Sequence, residues 1–476
     1  MTGPAGPAGP AGAALDPLRP DYDAVLLAGF GGPEGPADVM PFLRNVTRGR
    51  GIPEERLVEV SHHYQALGGS SPINEQNRRL RAALATELER RGVTVPVLWG
   101  NRNWAPYLPD TVAQAHSAGQ VRLLGLATSA YSSYSSCRQY REDFGMALAG
   151  TSTTGGAANT GAAGARNEAV TGQAGASAGD SGAGDSGAGD SGAAGDTGAA
   201  GSGATGTGHG LVGSVRIDKI RPYFDRPGFR QPFIDGTIEA IRDALAAGLS
   251  LADVEIVFTT HSIPLTMAAT SGSAVLGDHR PGGAYVTQHL AVAQAVIDQV
   301  VAEFSSAPSW QLAYQSRSGP PSVPWLDPDI NDVIDDLAAA GRRGVIVAPI
   351  GFVSDHVEVV WDLDNEAAET AQRHGLFFAR VRTPGTDPRF VAELADLVQE
   401  RLGQRVPESP PLAGAARRPD FCAVGCCVNS RVTRPTTAAE DSAADWAGLG
   451  IDQARLVASG IRGVCTHVTS ALQPAG

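Results

Sequence analysis

The run Gly344-Val-Ile-Val-Ala-Pro-Ile350 leaves this chain few options. An uncharged, largely β-branched stretch that ends at a glycine turn reads as a strand buried on both faces. Such strands belong to parallel sheets with helices on either side. The turn at Gly351 leads into a helix whose expected N-cap is Ser354. That helix carries Glu358, Asp362 and Glu366 at steps of four, which sets three carboxylates along one face, and His356 joins them at its start. No Lys is interleaved, and Trp361 lies among the acids. Oxygen ligands beside an imidazole suit a divalent cation in transit, whereas a solvated acidic face is the plainer alternative.

Strand and helix signals alternate on both sides of this run. In the first series, strands are expected at Asp23–Ala28, Val95–Trp99 and Val121–Leu126, with helices over 75–91 and 109–118. A long connection over 37–73 holds Arg44, Arg48, Arg50 and Arg56. After 126 comes Tyr131-Ser-Ser-Tyr134-Ser-Ser-Cys137-Arg-Gln-Tyr140, whose hydroxylated aromatics and arginine suit a flat anionic ligand. The second series expects strands at Leu211–Arg216, Val254–Thr260, Trp310–Gln315, 344–350 and Leu376–Arg382. Its helices are expected over 228–247, 283–304, 328–340 and 388–402. The fold class is therefore α/β, with two similar halves, each a parallel sheet flanked by helices. Residues 1–20 read as a disordered tail, 21–220 as the first half, 221–404 as the second and 405–476 as a Pro-rich tail bearing cysteines. Within the first half, 150–209 is a Gly/Ala/Ser/Thr/Asp insertion without the apolar surface to offset ordering entropy.

Charge and hydropathy exclude several classes. A formal net charge of −13 with no basic stripe argues against a nucleic-acid surface. No apolar run reaches the ~18 residues that a membrane span needs. The first twenty residues lack a basic stretch followed by an apolar one, so a cytoplasmic protein is expected. Gly29-Phe-Gly-Gly-Pro-Glu-Gly35 has the wrong spacing for a dinucleotide turn; its glycines admit a close backbone approach or a tight bend. Five cysteines, Cys137, Cys422, Cys426, Cys427 and Cys465, suggest a metal or redox role in a reducing compartment.

Five motifs then fall in order: Phe30-Gly-Gly-Pro-Glu34, Gly68-Gly-Ser-Ser-Pro72, His261-Ser-Ile-Pro264, Tyr314-Gln-Ser-Arg-Ser-Gly-Pro320 and Ser354-Asp-His-Val-Glu358. Together they resemble the ferrochelatase family over about residues 22–404, the insertion apart. Phe30, the stretch 134–140 and the Gly/Ala content resemble its actinobacterial branch. The resemblance implies two Rossmann-like halves with a porphyrin cleft between them, and a π-type widening of the carboxylate helix. It implies His261 as the cleft histidine, either base or metal-facing group, Glu358 as the carboxylate opposite, and Asp362 and Glu366 as an acidic row leading away. Phe30 stands where some members carry a tyrosine near the metal. Phe30, Arg44, Tyr131, Tyr134 and His356 are the expected substrate-binding residues. The implied reaction inserts Fe²⁺ into coproporphyrin III to give coproheme. Protoporphyrin IX as substrate, or a non-catalytic tetrapyrrole or iron–sulfur sensor, are the alternatives. A [2Fe–2S] cluster on Cys137, Cys422, Cys426 and Cys427 is implied as well, with Cys465 as a replacement ligand and a zinc site as the alternative.

Overall fold

Both halves wind their strands in the same order. The first sheet holds β1 (Ala24–Gly29), β2 (Val97–Asn101), β3 (Arg122–Ala127) and β4 (Arg216–Lys219), arranged β2-β1-β3-β4 and parallel throughout. The second holds β5 (Val254–His261), β6 (Ser309–Gln315), β7 (Gly344–Ala348) and β8 (Phe377–Arg380), arranged β6-β5-β7-β8 and likewise parallel. This computed structural model describes residues 22–49, 51–148, 215–318 and 322–405, and then 412–415, 418, 422, 425–428, 434 and 436. The expected tail 1–20, the insertion 150–209, Cys465 and most of 405–476 lie outside them.

Helices flank the sheets, most of them packing on a sheet through an apolar stripe. In the first half these are α1 (Val39–Thr47), α2 (Glu54–Ala66), α3 (Ile73–Arg90), α4 (Leu108–Ser117) and α5 (Gln139–Leu148). In the second they are α6 (Pro227–Ala246), α7 (Leu265–Ala269), α8 (Gly283–Phe304), α9 (Ile330–Ala339), α10 (Val357–Val359), α11 (Ala368–Arg373) and α12 (Pro388–Arg401). Three expectations need correcting. The 37–73 connection is not a loop: it contains α1 and α2, whose Phe42, Leu43 and Leu57 close a small core of their own. The strand expected over Leu211–Arg216 runs on to Lys219, and 211–214 of that span lie outside the described residues. The carboxylate helix is not capped by Ser354, which is buried; its N-cap is His356.

The order 2-1-3-4 reverses direction between β1 and β3, and again between β5 and β7. In open α/β sheets that reversal opens a crevice beyond the carboxyl ends of the two strands. Two groups of contacts lock the halves. Arg91 of the first half reaches α12, donating to Gln399 Oε1 at 2.9 Å and to the Ala392 carbonyl at 3.0 Å. Tyr131 donates its hydroxyl to the Ile350 carbonyl at 2.8 Å, and Ser132 and Gln288 exchange two hydrogen bonds.

On the other side of α12, Arg226 pairs at 2.5 Å with Glu393 and at 2.7 Å with Glu400, all three side chains nearly inaccessible. Breaking a buried pair strands charge, typically at a cost of 3–5 kcal/mol. Arg226→Ala is expected to lower stability by about 3–5 kcal/mol, read as a lower urea midpoint. Replacing all three residues by apolar ones of similar volume is expected to recover most of that loss.

Candidate active site

The second half brings its chemical groups to one edge. His261 is the last residue of β5, Gln315 the last of β6, and the turn after β7 delivers His356 and Glu358. His261 Nδ1 lies against the Ser262 carbonyl, which can only accept. Nδ1 therefore carries the proton, and in the neutral ring Nε2 keeps a free lone pair. That Nε2 stands 3.8 Å from Glu358 Oε2, and His356 Nδ1 stands 3.8 Å from the same oxygen. Burial lowers the His356 pKa and the His261 ring adds to the effect, with the Glu358 carboxylate opposing. Behind His261, the Tyr285 hydroxyl donates to its carbonyl at 2.9 Å and shares a 2.7 Å bond with Thr260.

The carboxylate row sits on a widened helix. Residues Val360–Ala367 are π-helical between α10 and α11, a geometry that clusters at functional sites. Asp362 is the most perturbed member. Burial pushes its carboxyl up to about 8; the Ser316 hydroxyl and the Gln315 amide oppose this, while the charges of Glu358 and Glu366 add to it. Glu366 accepts from Trp361 Nε1 at 2.8 Å, and the Trp361 ring stacks on His63 of α2, centroids 4.3 Å apart. Burial lowers the His63 pKa, with Glu366 opposing. The Tyr64 hydroxyl is pushed up by burial and by the charge of Glu358. Thus α2, which sequence reasoning took for a loop, reaches over to the row; the aromatic pair His63-Trp361 was not anticipated.

The expected substrate-binding residues divide. Phe30 follows β1 and is 38% exposed, edge-on to Phe42 and with the Arg102 guanidinium 5.8 Å from its ring centre. Arg44 is exposed and its Nε donates to Glu54 at 3.0 Å. Tyr134 is half-buried and donates to Glu142 at 2.9 Å. Tyr131 is not on an open surface: it is 1% exposed and stacks at 3.7 Å on His289, so its role here is to join the halves.

Cys137, Cys422, Cys426 and Cys427 come together in one buried cluster. Cys137 lies in a second π-helical segment, Tyr134–Arg138. Hydrogen bonds with Cys422 and Cys427 hold the Cys137 thiol well below its usual value, aided by the charges of Lys219 and Arg141. Gly272 N donates to Cys427 Sγ at 3.1 Å, and Arg141 donates to the Cys426 carbonyl at 3.1 Å. The Cys426 and Cys427 sulfurs are 3.8 Å apart. Two thiolates about 2.3 Å from one tetrahedral ion are separated by about the same distance. Among the described residues, no group of three or more His, Cys, Asp or Glu is arranged to hold a metal ion. Nor is any described helix long and apolar enough to cross a membrane.

The ferrochelatase family model matches residues 22–157 and 207–402. A coproporphyrin III ferrochelatase of Leifsonia xyli is 46% identical over 419 residues, covering 86% of this chain and 92% of the relative. One from Streptomyces coelicolor is 45% identical over 426 residues, covering 88% and 97%. A ferrochelatase of Rhodopirellula baltica is 38% identical over 410 residues, covering 86% and 94%.

The Asp362 carboxyl rises from 3.8 to about 8 on folding, so the native state binds a proton more tightly than the unfolded chain. Its contribution is intact below about pH 4 and is lost as pH climbs towards 8. Asp362→Asn, which cannot ionise, is expected to gain in Tm on the parent protein across that window, with the gap smallest near pH 4. Parallel melting curves at both ends of the window check this.

Proposed function

The chain belongs to the ferrochelatase family, enzymes that insert metal into porphyrins, and on that premise we propose that it inserts Fe²⁺ into coproporphyrin III. The names of several relatives support this choice of porphyrin. The reaction itself rests on His261, whose Nε2 lone pair stands opposite Glu358.

Insertion must take two protons from the pyrrole nitrogens, strip water from the metal and bend a flat macrocycle. His261 Nε2 accepts a pyrrole proton, since a neutral imidazole suits that task near pH 7. Glu358, 3.8 Å from that nitrogen, accepts the second pyrrole proton and hands on the cation. Asp362 and Glu366 pass the cation along the helix, each exchanging oxygen ligands for its water. His356 keeps Glu358 company as a neutral group, since burial disfavours its charged form. Phe30 supplies an aromatic face where a phenol would ligate, so the metal is held by the second half alone. Arg44 and Tyr134 are the first-half candidates for substrate contact. Arginines such as Arg44 pair with carboxylates, and four propionates offer more of these than two.

We further propose that Cys137, Cys422, Cys426 and Cys427 hold a [2Fe–2S] cluster, supported by their common buried cluster and the 3.8 Å sulfur separation. When bound, such a group supplies a cross-link between the first half and the C-terminal segment, and binding free energy of this kind adds to folding. The chain's own residues prepare for it. Gly272 N gives one sulfur a donor, and Arg141 and Lys219 favour the thiolate form of Cys137.

Anaerobic turnover with Fe²⁺ tests the first reading. Coproporphyrin III is expected to give a higher kcat/KM than protoporphyrin IX, and His261→Ala and Glu358→Gln each to lose ~10²-fold or more with the fold intact. Equal or better use of protoporphyrin IX would reverse the porphyrin choice; normal turnover in His261→Ala would remove the base.

For the cysteines, purified protein is expected to contain iron and acid-labile sulfide in equal amounts. Cys427→Ser should lose both and melt at a lower temperature. Zinc without sulfide would replace the cluster with a mononuclear site.

A further inference from the structure

The strand-end motif at Gln315 and Ser316 has been given no role so far, yet it touches both sides of the reaction centre. Gln315 lies opposite His261 in the parallel pairing of β5 with β6 and is 1% exposed. Its carbonyl accepts from Ser262 N at 2.8 Å, immediately after His261. Its side-chain Nε2 donates to the Glu358 carbonyl and to Asp362 Oδ2, each at 3.3 Å. Two acceptors facing one end of the carboxamide fix which end is nitrogen, and both of its hydrogens are used. Ser316 adds its hydroxyl to the same Asp362 oxygen. To do so it adopts φ 60°, a left-handed conformation that a serine rarely takes. Such strain persists where the surroundings over-determine it, and clusters at working sites.

We infer that Gln315 is a positioning residue that sets Glu358 against His261 by hooking the carboxylate helix to the end of β6. The inference deepens the chelatase reading above and rests on it. The physical need is plain. A π-helical segment is rare and seldom long, and returning it to α-helical winding would turn Glu358 and Asp362 to new directions relative to β5. Backbone hydrogen bonds within the segment cannot choose between the two windings by themselves. The Gln315 amide can, because it joins the backbone at Glu358, before the widening, to a side chain inside it. On the outer side Arg380 of β8 grips Asp355 at 3.1 Å and Asp364 at 2.9 Å, so the segment is held from both flanks. The amide oxygen Oε1 has no partner among the described residues, which leaves nitrogen as the working end of the hook.

Two variants test this. Gln315→Met keeps the length of the side chain and removes both donors. Gln315→Glu keeps the shape, replaces the donors by acceptors and sets a carboxylate beside Asp362. Both are expected to lower kcat ~10- to 100-fold, the usual cost of losing an outer support, with the porphyrin KM within about twofold. Amide hydrogen exchange read on the proteins without substrate should quicken over 358–367 and stay unchanged in β5 and β7. A merely structural residue would instead lower Tm and quicken exchange throughout. Unchanged exchange over 358–367, or an unchanged kcat in Gln315→Met while His261→Ala and Glu358→Gln are dead, would overturn the inference and leave the chelatase reading standing. If those two variants stay active, the chelatase reading fails first, and the exchange measurement alone still decides whether the hook exists.

Discussion

The distance across the reaction centre depends on one contact, between the turn after β7 and the end of β5. A Cβ added at Gly351 would stand 2.1 Å from the Thr260 hydroxyl oxygen and 2.8 Å from the Thr260 Cα. Only glycine admits that approach. Gly351 N then donates to the Thr259 carbonyl at 3.1 Å, which continues the pairing of the two strands past the point where β7 ends. Thr260 in turn holds the Tyr285 hydroxyl, and Tyr285 holds the carbonyl of His261. A side chain at 351 would therefore shift His261 and Glu358 together, although it touches neither.

The same turn also anchors the first half. The Ile350 carbonyl accepts the Tyr131 hydroxyl, and Tyr131 stacks on His289 of α8. Burial lowers the His289 pKa to about 3, so this ring is neutral, and a neutral ring can be buried without a counter-ion. Both halves thus meet at the turn that follows β7 and leads to His356 and Glu358. A cleft built across such a joint keeps its two walls in register without a large interface.

Much of this was readable from residues, and the failures have physical causes. The helix Gly283–Phe304 matches its expected span because glycines bound one end, an apolar stripe runs its length and Ser305 stops it in a left-handed conformation. The strands follow because β-branched runs between glycine turns have no other home. By contrast α1 and α2 hide behind arginines, Pro41 and Pro53, and their apolar residues close a small core of their own rather than facing a sheet. Steps of four marked the carboxylates as one face, which holds for either winding. The widening could not be read from spacing, because it is selected by Gln315, Ser316 and Arg380 from other elements. Tyr131 looked like a ligand contact because hydroxylated aromatics beside an arginine suit a flat anion; only the second half, distant in sequence, makes it a core residue.

In the proposed reaction the row and the histidine also divide the work by charge. Without a metal, Asp362 keeps its proton at neutral pH, since its pKa lies near 8. Two further anions lie within reach of it, and a third full charge in that setting would be costly. On the proposed path, a dication passing along the row would displace that proton and take its place on the carboxylate. His261 works in the opposite sense, because its Nδ1 proton is tied to the backbone and its Nε2 is open. The proposed reaction thus gives cation entry to an acid that holds a proton, and proton removal to an imidazole nitrogen whose lone pair is open.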